Sequence, residues 1–314
     1  MDTNNSARGG SELMMEELKR RLPEQNEKYS IFNYPVQADI NKPLIYWNQL
    51  SYDQPTVQFL NDQETLNQIQ KIVFVSNWQS EKFREKFNIP GYKSHVIKNA
   101  CLGVEAREIT KRDKVKICYT STPWRGLDVL LRAWELANPE NCELHIFSGT
   151  LIYGIDYAQS EDHKYKELYE KAKSTPGIFY RGNIANEELR KELLDFDILA
   201  YPSTFEETSC IAVIEAISAG LRVICSNIGA LPETTEGWAR MYNYRVDKEA
   251  HAQLFSKILQ EEIKKIRSGE LVEQLKEQIR VYGPKWSWDQ RAKEWQELIK
   301  ELDNEQTAQP LREA

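Results

Sequence analysis

This 314-residue chain has no apolar run near the roughly 18 residues that cross a bilayer. Its opening segment, Met1 to Gly10, lacks the apolar core of a signal peptide, so the expectation is a cytoplasmic protein. Basic charge is not in excess: 41 Lys and Arg against 48 Asp and Glu give a net charge of -7, which disfavours bulk nucleic-acid binding. Cysteine pairs are missing as well. The five cysteines (101, 118, 142, 210 and 225) are odd in number and contain no C-x-x-C, so reduced, buried thiols are expected and a zinc site is not. The four histidines show no metal-ligand spacing, and His145 falls in an apolar strand pattern that suits a structural role. Neither G-x-x-x-x-G-K-[ST] nor G-x-G-x-x-G occurs, which argues against a P-loop or a standard dinucleotide site. Internal repeats and low-complexity tracts are absent too.

What remains is an ordinary globular composition, 41% hydrophobic and 28% charged, long enough for two domains with sizeable cores. From residue 112 onward, period-two and helical patterns alternate. Val115, Ile117 and Tyr119 form a strand pattern; Leu127, Leu130, Leu131 and Trp134 then fall on one helix face. The alternation continues through strands at Leu144 to Phe147, Ile178 to Tyr180, Ile198 to Tyr201 and Arg222 to Cys225. Helices are predicted between them near 161–173, 186–194 and 209–219. Strands joined by helix-length crossovers run parallel, so a doubly wound α/β sheet is expected.

The first hundred residues predict a smaller α/β domain. It has a helix over 11–22, short strands at 29–32, 44–47, 72–76 and 96–97, and helices near 65–70 and 78–87. Residues 100–113 are the expected interdomain linker. Beyond Cys225 the pattern predicts long helices over 247–268 and 270–281, a break at Gly283-Pro284 and a last amphipathic helix. Ser287 and Gln290 form a capping-box pattern at its start, and Trp288, Ala292, Trp295, Leu298, Ile299 and Leu302 make its apolar face.

The chemistry concentrates in Ser203-Thr204-Phe205-Glu206-Glu207-Thr208-Ser209-Cys210 and the helix it leads into. From Cys210 to Ile217 that helix is apolar on every side except at Glu215. A carboxylate there either meets local donors, faces a solvent gap, or awaits a ligand's hydroxyls. Thr208 or Ser209 can cap the helix, whose first N–H groups would point to the carboxyl edge of the sheet and attract phosphate.

Glu207 and Glu215, with seven residues between them, resemble the Glu-x7-Glu motif of retaining glycosyltransferase family 4, of GT-B fold. Tyr201-Pro202-Ser203, Ala219-Gly220 and Gly229 to Glu233 are similar to that family's donor-site run. Trp124-Arg125-Gly126-Leu127 sits where the family has Lys-Gly. Tyr180-Arg181-Gly182-Asn183 resembles its segment near the base, and Gly9-Gly10-Ser11-Glu12 its glycine-rich loop opening a helix.

The resemblance implies a GT-B-like fold: two Rossmann-like domains facing a cleft, the N-terminal one reduced. The implied layout is an acceptor-side domain over 1–99 and a nucleotide-sugar-binding domain over 100–286. A helix over 287–302 packs back toward the first domain, and a tail covers 303–314. By position, Glu215 would hold ribose hydroxyls. The N–H groups of Thr208, Ser209, Cys210 and Ile211 would meet the donor phosphate or sugar, and Glu207 would contact the sugar. Arg125 would neutralise the departing diphosphate without a metal, with Gly10, Thr120, Gly126 and Arg181 completing the donor site. Implied partners are a nucleotide-sugar donor and a glycan, lipid-linked or small hydroxyl acceptor; no cofactor is expected.

Departures from the family pattern stand beside these matches. The family's Arg upstream of its Lys is replaced by Thr120-Ser121-Thr122, no strand precedes Gly9-Gly10, and Asn48 occupies the place of a His. Asp195-Phe196-Asp197 has the metal-site pattern of another transferase class, but its position between a helix end and a strand favours capping and exposure. Lys19-Arg20-Arg21 suits a helix C-terminus and leaves weak contact with a membrane surface or an acidic acceptor open. The alternatives to transfer are a nucleotide-sugar epimerase or sugar phosphorylase on the same fold, or a catalytically weak nucleotide- or sugar-binding module.

Overall fold

A computed structural model describes residues 9–308. Most of the polar opening segment and residues 309–314 of the expected tail lie outside the described residues. The described residues divide into two compact units, residues 11–100 with 285–308, and residues 9–10 with 101–284.

In the smaller unit the order is α1 (Gly10–Arg21), α2 (Pro23–Lys28), β1 (Ser30–Phe32), β2 (Leu44–Asn48), α3 (Gln63–Gln68), β3 (Ile69–Phe74), α4 (Asn77–Phe87) and β4 (Ser94–Val96). The strands form one parallel sheet in the order β1-β2-β3-β4. Period-two alternation divides β2 between two layers. Leu44 and Tyr46 join Phe32, Leu66, Phe74, Phe83 and Phe87 on one side, while Trp47 packs edge-on against Trp288 and Trp295. Helix α4 starts cleanly because Ser76 accepts from the Gln79 N–H, and it ends on left-handed Asn88. Arg20 and Arg21 both pair with Glu17, and Arg21 also with Asp289, so the basic end of α1 is partly neutralised.

The larger unit contains β5 (Val115–Thr120), α5 (Leu127–Ala137), β6 (Cys142–Phe147), α6 (Ile155–Glu161), α7 (Lys166–Ser174), β7 (Ile178–Tyr180), α8 (Asn186–Glu192), β8 (Ile198–Tyr201), α9 (Ile211–Ala219), β9 (Arg222–Ser226), α10 (Leu231–Thr235), β10 (Arg240–Tyr242), α11 (Lys248–Ser268) and α12 (Val272–Lys285). Its six parallel strands run β10-β9-β8-β5-β6-β7. The chain winds outward from β5 to β7, returns to β8 and winds the other way to β10. The carboxyl ends of β5 and β8 therefore form a topological switch point, where open α/β sheets bind ligands. All five cysteines are free and buried.

Several expectations need correction. The helix expected over 161–173 is two helices, α6 and α7, joined by a 3-10 turn at Asp162–Tyr165. The break expected at Gly283-Pro284 falls about two residues later: both residues lie in the last turn of α12, which ends at Lys285, and the next helix starts at Trp288. The final helix, α13 (Trp288–Ala308), runs past Leu302; Asp303, placed in the loose tail, accepts from Lys28 Nζ at 2.7 Å and the Tyr29 hydroxyl at 2.5 Å. Ser287 Oγ does accept from the Gln290 N–H, but the Gln290 side chain turns to Glu294, so only half of the capping box forms.

Residues 100–113 do not behave as a free linker. The Arg107 N–H donates to Ala219 O, and its guanidinium pairs at 2.6 Å with Asp197, both side chains 1% exposed. Asp197 also accepts from the Lys116 N–H, which overturns the exposed, capping reading of that residue; Asp195 alone stays exposed. The buried pair pins the incoming segment to β8 and is costly to break from one side only. His145 lies in β6, as expected, and is partly accessible there: it stacks on Phe179, with Nε2 3.4 Å from Glu143.

Candidate functional site

At the switch point, the loop after β5 and the loop after β8 touch through Gly126. This residue has φ +103°, and a Cβ placed on it would stand 2.1 Å from Pro202 O, so only glycine fits. Thr204 Oγ1 donates to Trp124 O at 3.2 Å, and Ser226 Oγ to Ser203 O at 2.7 Å, tying the two loops to each other and to β9. Arg125 closes the first loop in the 3-10 turn Pro123–Arg125. Its guanidinium lies 4.9 Å above the Phe205 ring, and Nη1 is 3.5 Å from Glu207 Oε1. Burial acts against this charge, and Glu207 with Tyr201 more than offsets it, so the Arg125 pKa lies above the ordinary arginine value.

Glu207 is 4% exposed and held from three directions. The Tyr201 hydroxyl donates to Oε1, Arg125 faces the same oxygen, and the Glu207 carbonyl accepts from the Ala230 N–H at 2.7 Å. Gly229 lies against its backbone, where a Cβ would come within 2.6 Å of the Glu207 N. Tyr201 is itself packed on Tyr119, whose hydroxyl donates to Thr122 O. A hydrogen bond to an ionised group is worth roughly 1.5–3 kcal/mol. Tyr201→Phe is therefore expected to destabilise the protein by about that amount in urea titrations. An unchanged midpoint would mean that the hydroxyl does not hold the carboxylate.

Helix α9 begins just beyond Glu207. Its N-cap is Cys210 with no side-chain cap, not Thr208 or Ser209; the Ser209 Oγ is buried and without a partner among the described residues. The first N–H groups of α9 therefore lack the side-chain acceptor expected from sequence, and anions are favoured at such a terminus. Gly10 lies beside this start: a Cβ on it would stand 2.7 Å from the Ile211 Cδ1. Glu215, one turn further on, is 8% exposed, and burial pushes its carboxyl up to about 7 against the opposing pull of Arg190.

The structure thus brings Arg125, Gly126 and Glu207 together, and Gly10, Cys210 and Ile211 at the start of α9. Thr120 is the last residue of β5, and Thr122 Oγ1 nearby is buried without a partner among the described residues. Arg181 is engaged elsewhere, donating to Glu192 at 2.6 Å over the Phe147 ring. Trp124 stacks on Tyr153 at 5.7 Å. Sequence reasoning missed Tyr201, Phe205 and Arg190 as partners of the motif. Tyr201 and Phe205 stood beside the motif and carried a signal; Arg190, on α8, carried none. No group of three or more His, Cys, Asp and Glu suited to a metal occurs among the described residues. Nor is any described helix long and apolar enough to cross a membrane.

An anion-suited helix start, an arginine and two spaced carboxylates thus stand at the switch point of a doubly wound α/β unit, where folds of this class bind ligands. The chain belongs to the glycosyl transferases group 1 family, whose model matches residues 107–282. It is similar to O-antigen chain mannosyltransferase B of Escherichia coli, 26% identical over a 185-residue alignment that covers 54% of this chain and 46% of that protein. The match thus spans less than half the length of that relative. Among solved structures, a glycosyltransferase from Rickettsia africae ESF-5 superposes with a TM-score of 0.61 at 18% identity, covering 96% of this chain and 84% of that one. HepE of Anabaena, solved with UDP and glucose, gives 0.59 at 15% identity over 83% of this chain and 72% of its own. These likenesses carry the fold, that of GT-B glycosyltransferases with Rossmann-like parallel sheets.

Proposed function

We propose that this protein transfers a sugar from a nucleoside-diphosphate donor to a hydroxyl acceptor, with retention of configuration and without a metal ion. The observation that carries the reading is the meeting of Arg125, Glu207 and the start of α9 at the β5/β8 switch point. Leaving-group departure builds charge on the diphosphate, and a fixed cation beside a helix N-terminus stabilises that charge without reorganisation. Arg125 fills that role, Glu207 positions the sugar, and Glu215 takes the ribose. The complex of HepE with UDP and glucose, and the family-4 resemblance of the Glu-x7-Glu run, support the same assignment.

Thermal unfolding against UDP, GDP, ADP, CMP and dTDP, with and without magnesium, tests it. A ligand at about 100 times its Kd adds roughly 2.7 kcal/mol. One nucleoside diphosphate is expected to raise the Tm by the same amount with and without magnesium, naming the base. A shift confined to magnesium-containing samples would overturn the metal-independent mechanism, and no shift with any nucleotide would overturn the donor site.

A further inference from the structure

Among the described residues Glu215 has one cationic neighbour, Arg190, and does not close a hydrogen bond with it. Arg190 Nη1 stands 3.8 Å from Glu215 Oε1, beyond hydrogen-bond length, and that nitrogen is buried with no acceptor among the described residues. Both side chains are largely buried, at 18% and 10% exposed, so water does not substitute freely for the missing partner.

The two groups make opposite demands. A carboxylate only accepts and a guanidinium only donates, whereas a hydroxyl does both. A phosphate oxygen would leave Glu215 opposed by a like charge, and an ammonium would do the same to Arg190. An alcohol oxygen roughly 2.8 Å from each atom spans the 3.8 Å separation without moving either side chain.

Building on the nucleotide-sugar reading, we propose that Arg190 and Glu215 together bracket one ribose hydroxyl of the donor, Arg190 donating to its oxygen and Glu215 accepting its proton. Arg190 is then a specificity residue, selecting ribonucleotides over their deoxy counterparts. The geometry has an electrostatic corollary. Among the described residues the titratable groups facing Glu215 are Arg190 on α8, together with Cys101 in the segment before β5, whose thiol donates to the Leu102 carbonyl. Burial, and then Glu215 itself, pushes the Cys101 thiol up to about 12, so Arg190 is the charged group that keeps the Glu215 carboxyl from rising further.

The test is calorimetric titration of UDP, GDP and ADP, each beside its 2′-deoxy and 3′-deoxy form, into the full chain and its Arg190→Met and Arg190→Lys variants from pH 6 to 8.5. One hydrogen bond of this kind corresponds to about a tenfold change in Kd. The parent is expected to prefer the ribo form over one deoxy form by about that factor. Arg190→Met should weaken the ribo form alone, erase the preference and move the pH midpoint of binding upward; Arg190→Lys should restore part of both. Melting curves without nucleotide check that each variant is folded. Equal weakening of ribo and deoxy forms, or no ribo preference in the parent, overturns the bracket while leaving the donor site standing. Failure of the parent to bind any of the nucleotides would instead remove the nucleotide-sugar reading, and the bracket with it.

Discussion

Replacing Arg125 by methionine is expected to lower turnover of the nucleotide sugar by about 10²–10³-fold, the range found when one preorganised donor is removed from a developing anion. The size follows from where the guanidinium sits. It is about a quarter exposed, stacked over Phe205 and fixed by a turn that Gly126 lets approach Pro202, so its charge acts with little water between it and a leaving group. Two consequences separate this from general damage. Arg125→Lys, which keeps the charge but loses the planar fork, should recover part of the rate. The loss should fall on kcat rather than on KM, because the charge it answers exists mainly in the transition state. Release of nucleoside diphosphate, with water or an added glycan as acceptor, is the readout. A folded Arg125→Met protein turning over at the parent's rate would remove Arg125 from the mechanism.

That expectation was within reach of the sequence because a Lys-Gly-like Arg-Gly and a spaced pair of glutamates are local patterns. The doubly wound sheet was equally accessible, since each strand and helix announces its own period. What stayed hidden depends on chain ends meeting across long separations. Arg107 and Asp197 lie 90 residues apart, and nothing near either says that the pair will be buried. The supposed linker looked free for that reason. Trp47 and the two tryptophans of α13 are a similar case: each looked merely apolar until the β2 alternation and the helix face were seen to meet. The capping error at α9 has another origin. Thr208 and Ser209 are good cap residues by type, but the loop carrying them is drawn toward Gly229 and Ala230 by the Glu207 backbone, leaving Cys210 at the cap.

Glu215→Gln is expected to flatten the dependence of stability on pH. The folded protein holds this carboxyl at about 7 against an ordinary value of 4.5, with burial as the main cause and Arg190 opposing it. A folded-state pKa above the unfolded one means that folding favours the protonated acid. That contribution is complete below the unfolded value and is lost as the pH rises through about 7. Between pH 4.5 and 8.5 the parent should therefore lose about 3 kcal/mol relative to the variant, or roughly 5 °C of Tm for a chain of this length. The amide carries no ionisable proton, so its own curve lacks this step. The same substitution should weaken nucleotide binding, since glutamine cannot accept a hydroxyl proton as strongly as a carboxylate does. An apo protein stabilised above pH 7 by a change that weakens ligand binding is the signature of a group retained for binding at the expense of stability. Parallel pH profiles for parent and variant would show that Glu215 is not held near neutrality in the folded chain, and the link between its burial and ribose binding would fall.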